Sequence, residues 1–193
     1  MASHTLAFAE AHASLREFAR QVWTARKACG DFLDAWTAGH VRARAAASPA
    51  EILRRLEIAA PASVRARRRM PGFIRSRHMT AQMPSGPERW TVAFLMDVVF
   101  TRDTWMHRGD IARATGRELV LTPDHDGRIV ADAVADWARR HGQPFRLQLD
   151  GPAGGAFAQG DNGVELQLDA VEFCRVLSGR GDGNGLLAQE VPF

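Results

Sequence analysis

The chain has 193 residues, a formal net charge of +3 and a hydrophobic content of 46%. This is enough apolar material for a hydrophobic core, and the two cysteines, Cys29 and Cys174, are too few for a disulfide scaffold. The longest apolar stretch, residues 92–100, is about half as long as a membrane-spanning helix. We expect no signal peptide, because no positively charged segment leads into an apolar stretch near Met1. We therefore expect a cytoplasmic protein with reduced cysteines and without a transmembrane segment.

The first third of the chain predicts helices. Apolar residues recur at helical spacing over residues 3–27, which predicts one amphipathic helix with His4 on its buried face. Asp31 is expected to cap a second helix that runs towards residue 47. Ser48 begins a third helix, which Pro61 is expected to kink or end.

Residues 65–86 contain clustered arginines, two prolines and two glycines with weak periodicity, so we expect an irregular connection. The arginines form the densest basic run of the chain, and a phosphate-binding loop is the functional alternative. Phe73 is the only aromatic residue within the basic run, and no nucleic-acid motif frames the segment. A solvated loop is therefore preferred, and we expect no nucleic-acid partner.

A long helix is expected over residues 87–115, with Gly116 just past its end. Its apolar stripe begins with Val92 and continues into Asp103, His107 and Asp110. Three ionisable residues therefore fall on the face that should be buried, which indicates a functional site.

The C-terminal part of the sequence alternates between helical and strand patterns. The expected elements are a helix over 123–141, strands over 145–149 and 164–168, a turn over 151–160, a helix that begins at Asp169 and a last strand over 186–191. The predicted fold class is α+β, with a helical bundle over residues 1–120 and a small α+β domain over residues 121–193.

Asp103 and His107 are four residues apart, so on a helix both can reach one metal ion, and Asp110 can hold the His107 ring. An ordinary Asp–His hydrogen bond is the alternative. His4 could supply a third ligand from another helix and leave a fourth position open, as in catalytic zinc sites, or it could lie in solvent near the chain end. Surface positions are expected for the histidines in helix-end or loop contexts, which are His40, His78, His125 and His141.

Residues 101–116, TRDTWMHRGDIARATG, resemble the long metal-site helix of the mycothiol-dependent maleylpyruvate isomerase family, which is related to DinB-like bundles. Residues 168–180, LDAVEFCRVLSGR, resemble the C-terminal domain of that family, and Ser3-His4 is similar to its earlier helix with a metal-binding histidine. The resemblance covers nearly the whole chain. It implies a DinB-like antiparallel helical bundle, without its first helix, followed by a small α+β domain.

The resemblance also implies a function. A divalent metal, zinc, would be held by His4, Asp103 and His107 and would bind the sulfur of mycothiol. Because zinc lowers the pKa of a coordinated thiol, the resulting thiolate could attack a small electrophilic, maleylpyruvate-like substrate in an isomerase or thiol transferase reaction. Arg180 lies near the position of the family's arginine for the substrate carboxylate, although a helix-end arginine is its structural alternative.

The chain departs from the family at two points. Asp103 stands where the family usually has Glu, and the chain begins almost at the first metal histidine, without the preceding helix. Three explanations of the short start stay open: the true start lies upstream, helices pair with a second subunit in a homodimer, or the site has decayed. The alternative function is therefore a non-catalytic binding or regulatory protein with the same fold.

Overall fold

A computed structural model describes residues 2–28 and 32–193, and it has an α+β architecture. The chain divides into two compact units, Met1–Ser76 and Arg77–Phe193, so the predicted boundary near residue 120 falls inside the second unit. Within the described residues, none of the helices is both long and apolar enough to cross a membrane. Cys29 and the predicted cap Asp31 lie outside the described residues.

The described part of the first unit is helical. Its elements are α1 (Ala2–Ala13), α2 (Leu15–Arg26), α3 (Phe32–Arg42), α4 (Pro49–Arg68) and the short α5 (Gly72–Arg75).

The single helix predicted over residues 3–27 is two helices, and Ser14 separates them. Ser14 has an extended backbone with φ −143° and ψ 114°, and its hydroxyl accepts a hydrogen bond from the N–H of Glu17. This is a local N-cap, and it outweighs the continuous apolar spacing across the break. The predicted stripe ends there, because the side chain of Leu15, just after the break, is exposed.

The third helix begins as predicted, since Ser48 caps α4 by accepting a hydrogen bond from the N–H of Glu51. Of the two effects expected of Pro61, an end of the helix is wrong, because α4 continues through Pro61 to Arg68. The expected irregular segment 65–86 was also wrong: the arginines at its start lie on the last turn of α4, and α5 and a β-hairpin follow.

Helices α1 and α4 pack together along the first unit. Leu6 and Ala9 of α1 form an apolar cluster with Ile52 and Ala59 of α4. Beside this cluster, the carboxylate of Glu10 forms ion pairs with Arg44 and Arg55, which link α1 to two other parts of the unit.

The second unit combines helices with two sheets. In chain order its elements are β1 (His78–Met83), β2 (Gly86–Thr91), α6 (Val92–Phe94), a π-helical turn (Leu95–Val99), α7 (Phe100–Thr115), a second π-helical turn (Pro123–Gly127), α8 (Arg128–His141), β3 (Phe145–Asp150), β4 (Gly155–Gln159), β5 (Val164–Asp169), α9 (Ala170–Leu177) and a 3-10 turn (Gly185–Ala188).

The long helix predicted from residue 87 begins only at Val92. Strands β1 and β2 form an antiparallel hairpin in which Pro87 pairs with Gln82, so this proline lies in a strand and not in a first helical turn. Gly86 has a φ of 120°, a conformation that favours glycine, where the chain leaves the hairpin turn. Thr91 then caps the helix by accepting a hydrogen bond from the N–H of Phe94. The other end was predicted correctly, since Gly116 follows α7 with a φ of 66°.

The C-terminal sheet has the strand order β4-β3-β5, with β3 antiparallel to β4 and parallel to β5. The two predicted strands are confirmed, and so is the helix capped by Asp169, whose carboxylate accepts hydrogen bonds at the start of α9. Strand β4 was missed, because the glycine-rich segment 151–160 predicted only a turn. The expected last strand is wrong: the N–H of Val191 donates to the carbonyl of Leu177, so the chain end is bound to α9.

Helix α7 is held in the second unit by buried polar contacts. Arg102 is 1% exposed and donates to the carboxylates of Asp132 and Asp136 on α8 and to the carbonyl of Pro192. Trp105, one helical turn further on, donates its indole N–H to Asp126 at 2.8 Å. These contacts fix the rotation of α7 and therefore which side chains lie on its other face.

Candidate metal site

The face of α7 that carries Asp103 and His107 is half-buried. The side chain of Asp103 is 20% exposed and that of His107 is 15% exposed. Asp103 lies in the first turn of α7 and His107 lies one turn further on, so their spacing of four residues brings them to the same face, as predicted.

The ring of His107 lies between two carboxylates. Its Nε2 atom is 3.4 Å from Oδ1 of Asp103, and its Nδ1 atom is 3.2 Å from Oδ2 of Asp110. Two ligand atoms at zinc–ligand distances of about 2.0–2.1 Å in a tetrahedral arrangement are about 3.3 Å apart. The separation of Nε2 and Oδ1 therefore suits two ligands of one metal ion, and Asp110 is the residue that orients the ring.

Two arginines also contact the carboxylate of Asp110. The Nε atom of Arg180 lies 3.2 Å from Oδ2 of Asp110, and Nη1 of Arg175 lies 3.7 Å from its Oδ1. Arg175 also donates to the backbone carbonyl of Arg180 at 2.9 Å. Gly179 has a φ of 72°, which turns the chain after α9 so that Arg180 reaches this position. Asp103 and His107 of α7 and Arg180, from a distant part of the sequence, thus belong to one continuous set of contacts.

His4, the third predicted ligand, belongs to the first unit and is half-buried on α1. Its ring makes an edge contact with Phe8, with the ring centroids 4.4 Å apart, and its Nδ1 atom lies 3.1 Å from Nδ1 of His40. The alternative expectation that His4 lies in solvent is therefore wrong.

His40 was predicted on the surface, and this is wrong, because the residue is 2% exposed. Burial, followed by the charge of Arg44, lowers the pKa of His40 to about 4, so its ring is neutral at physiological pH. The sequence carried a signal for this position: His40 follows Trp36 by four residues and therefore shares the buried face of α3. Of the other histidines expected on the surface, His78 and His125 are exposed.

Gln21 was not singled out from the sequence, although it is 5% exposed and lies at the centre of this group. Its side-chain oxygen accepts hydrogen bonds from the indole of Trp36 and contacts Nε2 of His40. A polar residue on an apolar helical face was the available signal, because a buried amide needs several partners.

Cys174 is completely buried, and burial raises the pKa of its thiol to about 12. The residue is therefore a core thiol at neutral pH and not a thiolate nucleophile.

Comparisons with protein-family models, curated proteins and solved structures found no match to this chain. What the site does must therefore be inferred from the chemistry of its own residues.

Proposed function

We propose that the protein binds a divalent metal ion, zinc, and uses it with mycothiol as an isomerase or thiol transferase on a small electrophilic, maleylpyruvate-like substrate. The observation that carries the proposal is the position of His107 between the carboxylates of Asp103 and Asp110. The proposed ligands are Asp103, His107 and His4, which offer one carboxylate oxygen and two imidazole nitrogens.

The hydrogen bond to Asp110 supports the proposal. A carboxylate only accepts hydrogen bonds, so Nδ1 of His107 is the donor, and a neutral ring then has its lone pair on Nε2. That lone pair is next to the carboxylate of Asp103, which is also an acceptor. Two acceptors at this distance need a cation or a proton between them. A divalent metal ion meets this need, and a histidine oriented by a carboxylate is the usual arrangement at metal sites.

The donor set also suits the metal. Two imidazoles and one carboxylate are the protein ligands of several catalytic zinc sites, in which a fourth position stays open. When bound, such an ion lowers the pKa of a coordinated thiol and holds it as a thiolate at neutral pH. In this proposal mycothiol would supply the thiol, because Cys174 is a buried core thiol.

The other residues of the site have supporting roles in the proposal. Asp110 holds the His107 ring, while Arg175 and Arg180 hold Asp110. Arg180 uses Nε for this contact, and its side chain is 26% exposed. A guanidinium has five N–H donors, so the two terminal nitrogens can bind a substrate carboxylate while Nε keeps its contact with Asp110.

The proposal includes the architecture of the helices. The resemblance of residues 101–116 to a metal-site helix is supported by an unbroken helix over Phe100–Thr115 with both ligands on one face. This supports the proposal that the chain is a DinB-like bundle followed by a small α+β domain.

Turnover by the zinc-loaded protein tests the function. Mycothiol and maleylpyruvate are supplied, and loss of the cis substrate is followed with the wild type, His107→Ala and Arg180→Lys. We expect thiol-dependent turnover that His107→Ala abolishes. Arg180→Lys should raise KM because lysine cannot form the bidentate contact. The exposed His125→Ala is the matched control and should behave like the wild type. A folded, zinc-loaded wild type without turnover would instead support the non-catalytic alternative.

A further inference from the structure

A chain of hydrogen bonds in the first unit leads from the indole of Trp36 to the ring of His4. Trp36 Nε1 lies 3.1 Å from Oε1 of Gln21, and the same oxygen lies 3.0 Å from Nε2 of His40. Nδ1 of His40 then lies 3.1 Å from Nδ1 of His4. Some groups along this chain can only donate or only accept a hydrogen bond, and these groups determine the direction of every bond in it.

The amide of Gln21 can have one orientation only. Its Nε2 atom is 3.1 Å from the carbonyl of Ala7 and 2.9 Å from the carboxylate of Glu17, and both of these groups only accept hydrogen bonds. On the other side, the indole N–H of Trp36 can only donate. The amide oxygen of Gln21 therefore faces Trp36 and His40.

This orientation determines the tautomer of His40. Because Oε1 of Gln21 is an acceptor, Nε2 of His40 must carry the proton. The ring is buried beside the rings of Phe8 and Trp36, at centroid distances of 5.2 and 5.6 Å, and such surroundings favour the neutral imidazole. A neutral ring has one N–H group, so Nδ1 of His40 is an acceptor.

The tautomer of His4 follows in the same way from its hydrogen bond to His40. Since Nδ1 of His40 accepts, Nδ1 of His4 donates, and the lone pair of a neutral His4 ring is on Nε2. In water the neutral imidazole of histidine favours the opposite tautomer, with the proton on Nε2. The contacts in the first unit therefore select the less common form.

We infer that His40, oriented by Gln21, is a positioning residue that keeps His4 in the tautomer whose Nε2 atom can bind a metal ion. This inference rests on the proposed metal site, in which His4 is a ligand. Asp110 has the corresponding role for His107, so each proposed histidine ligand has a partner on its Nδ1 atom. Outer partners of this kind are usual at metal sites because they fix the ring and its tautomer.

The tautomer of His4 can be measured without any metal. Long-range proton–nitrogen NMR spectra of metal-free protein with nitrogen-15-labelled histidine distinguish protonated from unprotonated ring nitrogens, and a His4→Gln variant identifies the signals of His4. We expect a protonated Nδ1 and an unprotonated Nε2 for His4 in the wild type. A wild-type spectrum with the proton on Nε2 would overturn the inference, and this result needs no variant of His40.

Variants of His40 test whether this residue determines the tautomer of His4. His40→Phe keeps an aromatic ring beside Phe8 and Trp36 but removes the acceptor, so the proton of His4 should move to Nε2 and zinc should bind about 10- to 100-fold more weakly. His40→Asn places an oxygen near the position of Nδ1, and it should restore the wild-type tautomer and most of the affinity. His12→Phe is the matched control, because His12 also stacks on Phe8 but bonds to Arg67. His12→Phe should leave the tautomer of His4 and the affinity for zinc unchanged.

The outcomes separate the two proposals. If His40→Phe leaves the proton of His4 on Nδ1, or if it binds zinc as tightly as the wild type, His40 is not the positioning residue. If the wild type has the expected tautomer but does not bind zinc, the metal site is wrong, while the assignment of the hydrogen bonds stands.

Discussion

Nδ1 of His107 lies 3.2 Å from Oδ2 of Asp110, the same oxygen that lies 3.2 Å from Nε of Arg180. One carboxylate oxygen thus joins a proposed metal ligand to the proposed substrate-binding arginine. This contact makes Asp110 a residue whose loss should affect the metal without removing a ligand.

Asp110→Ala should lower the affinity for zinc about 10- to 100-fold, because the His107 ring loses the partner that fixes its orientation and tautomer. Competition with a chromophoric chelator measures the affinity. Asp161→Ala, which removes an exposed aspartate, is the control. Equal zinc affinity in Asp110→Ala and the wild type would show that Asp110 does not orient the ligand.

Arg102→Ala should lower the free energy of unfolding by about 2–3 kcal/mol, because Asp136 loses its most buried partner, although Arg139 and Arg140 still pair with its other oxygen. Arg102 and Asp136 are 1% and 6% exposed, and Nη1 of Arg102 lies 2.9 Å from Oδ2 of Asp136. Urea unfolding measures the change. Replacement of the exposed Arg117 by alanine should cost no more than about 0.5 kcal/mol. A loss of less than about 1 kcal/mol in Arg102→Ala would contradict this role.

Asp126 should stabilise the fold at neutral pH but not in acid. Its burial opposes ionisation, but hydrogen bonds from the Thr122 backbone, Trp105 and Arg108 outweigh burial and hold its pKa below the usual range. Because the folded pKa is below the unfolded value of about 4, this stabilisation is complete above that pH and is lost as the pH falls further.

Asp126→Asn should therefore reduce the free energy of unfolding by about 2–3 kcal/mol at pH 7, and the difference from the wild type should shrink below about pH 4. Urea unfolding of both proteins from pH 7 to below about pH 4 measures this difference in free energy. A difference that stays constant down to the lowest pH at which the protein folds would show that the charge of Asp126 is unimportant.

His12 should titrate far below an ordinary histidine. Burial and then the charge of Arg67 lower its pKa to about 4. The unfolded chain, with a histidine pKa of about 6.5, then binds more protons than the folded chain, so His12 makes the protein less stable as the pH falls from about 6.5 to 4. An NMR titration measures the pKa directly. Arg67→Gln should raise it, and a wild-type value near 6.5 would contradict the expected burial.

Local signals in the sequence predicted much of the second unit. The N-cap Asp169, the glycines that end α7 and α8 and the alternation in β3 act between near neighbours, so these elements follow from short segments. Strand β4 and the β1–β2 hairpin depend on pairing with other strands, and their own residues alternate weakly. The break at Ser14 was missed because the apolar spacing continues across it.

In the candidate site, too, local sequence patterns predicted some features, while others depend on contacts between distant residues. Asp103, His107 and Asp110 follow from helical spacing alone, and the structure confirms that they share one face. The contact of Arg180 with Asp110 joins residues 70 positions apart, which periodicity does not predict. Burial of His40 depends on packing between helices, so its helix-end context gave the wrong expectation.

Zinc binding tests the central claim most directly. Protein purified without chelator and without a histidine tag is titrated with zinc and analysed for metal content, and the wild type is compared with Asp103→Asn, His107→Ala and His4→Ala. We predict one zinc ion per wild-type chain and a large loss of affinity in each of the three variants. A folded wild type that binds no zinc, or a His107→Ala variant that binds it as tightly as the wild type, would contradict the proposed site.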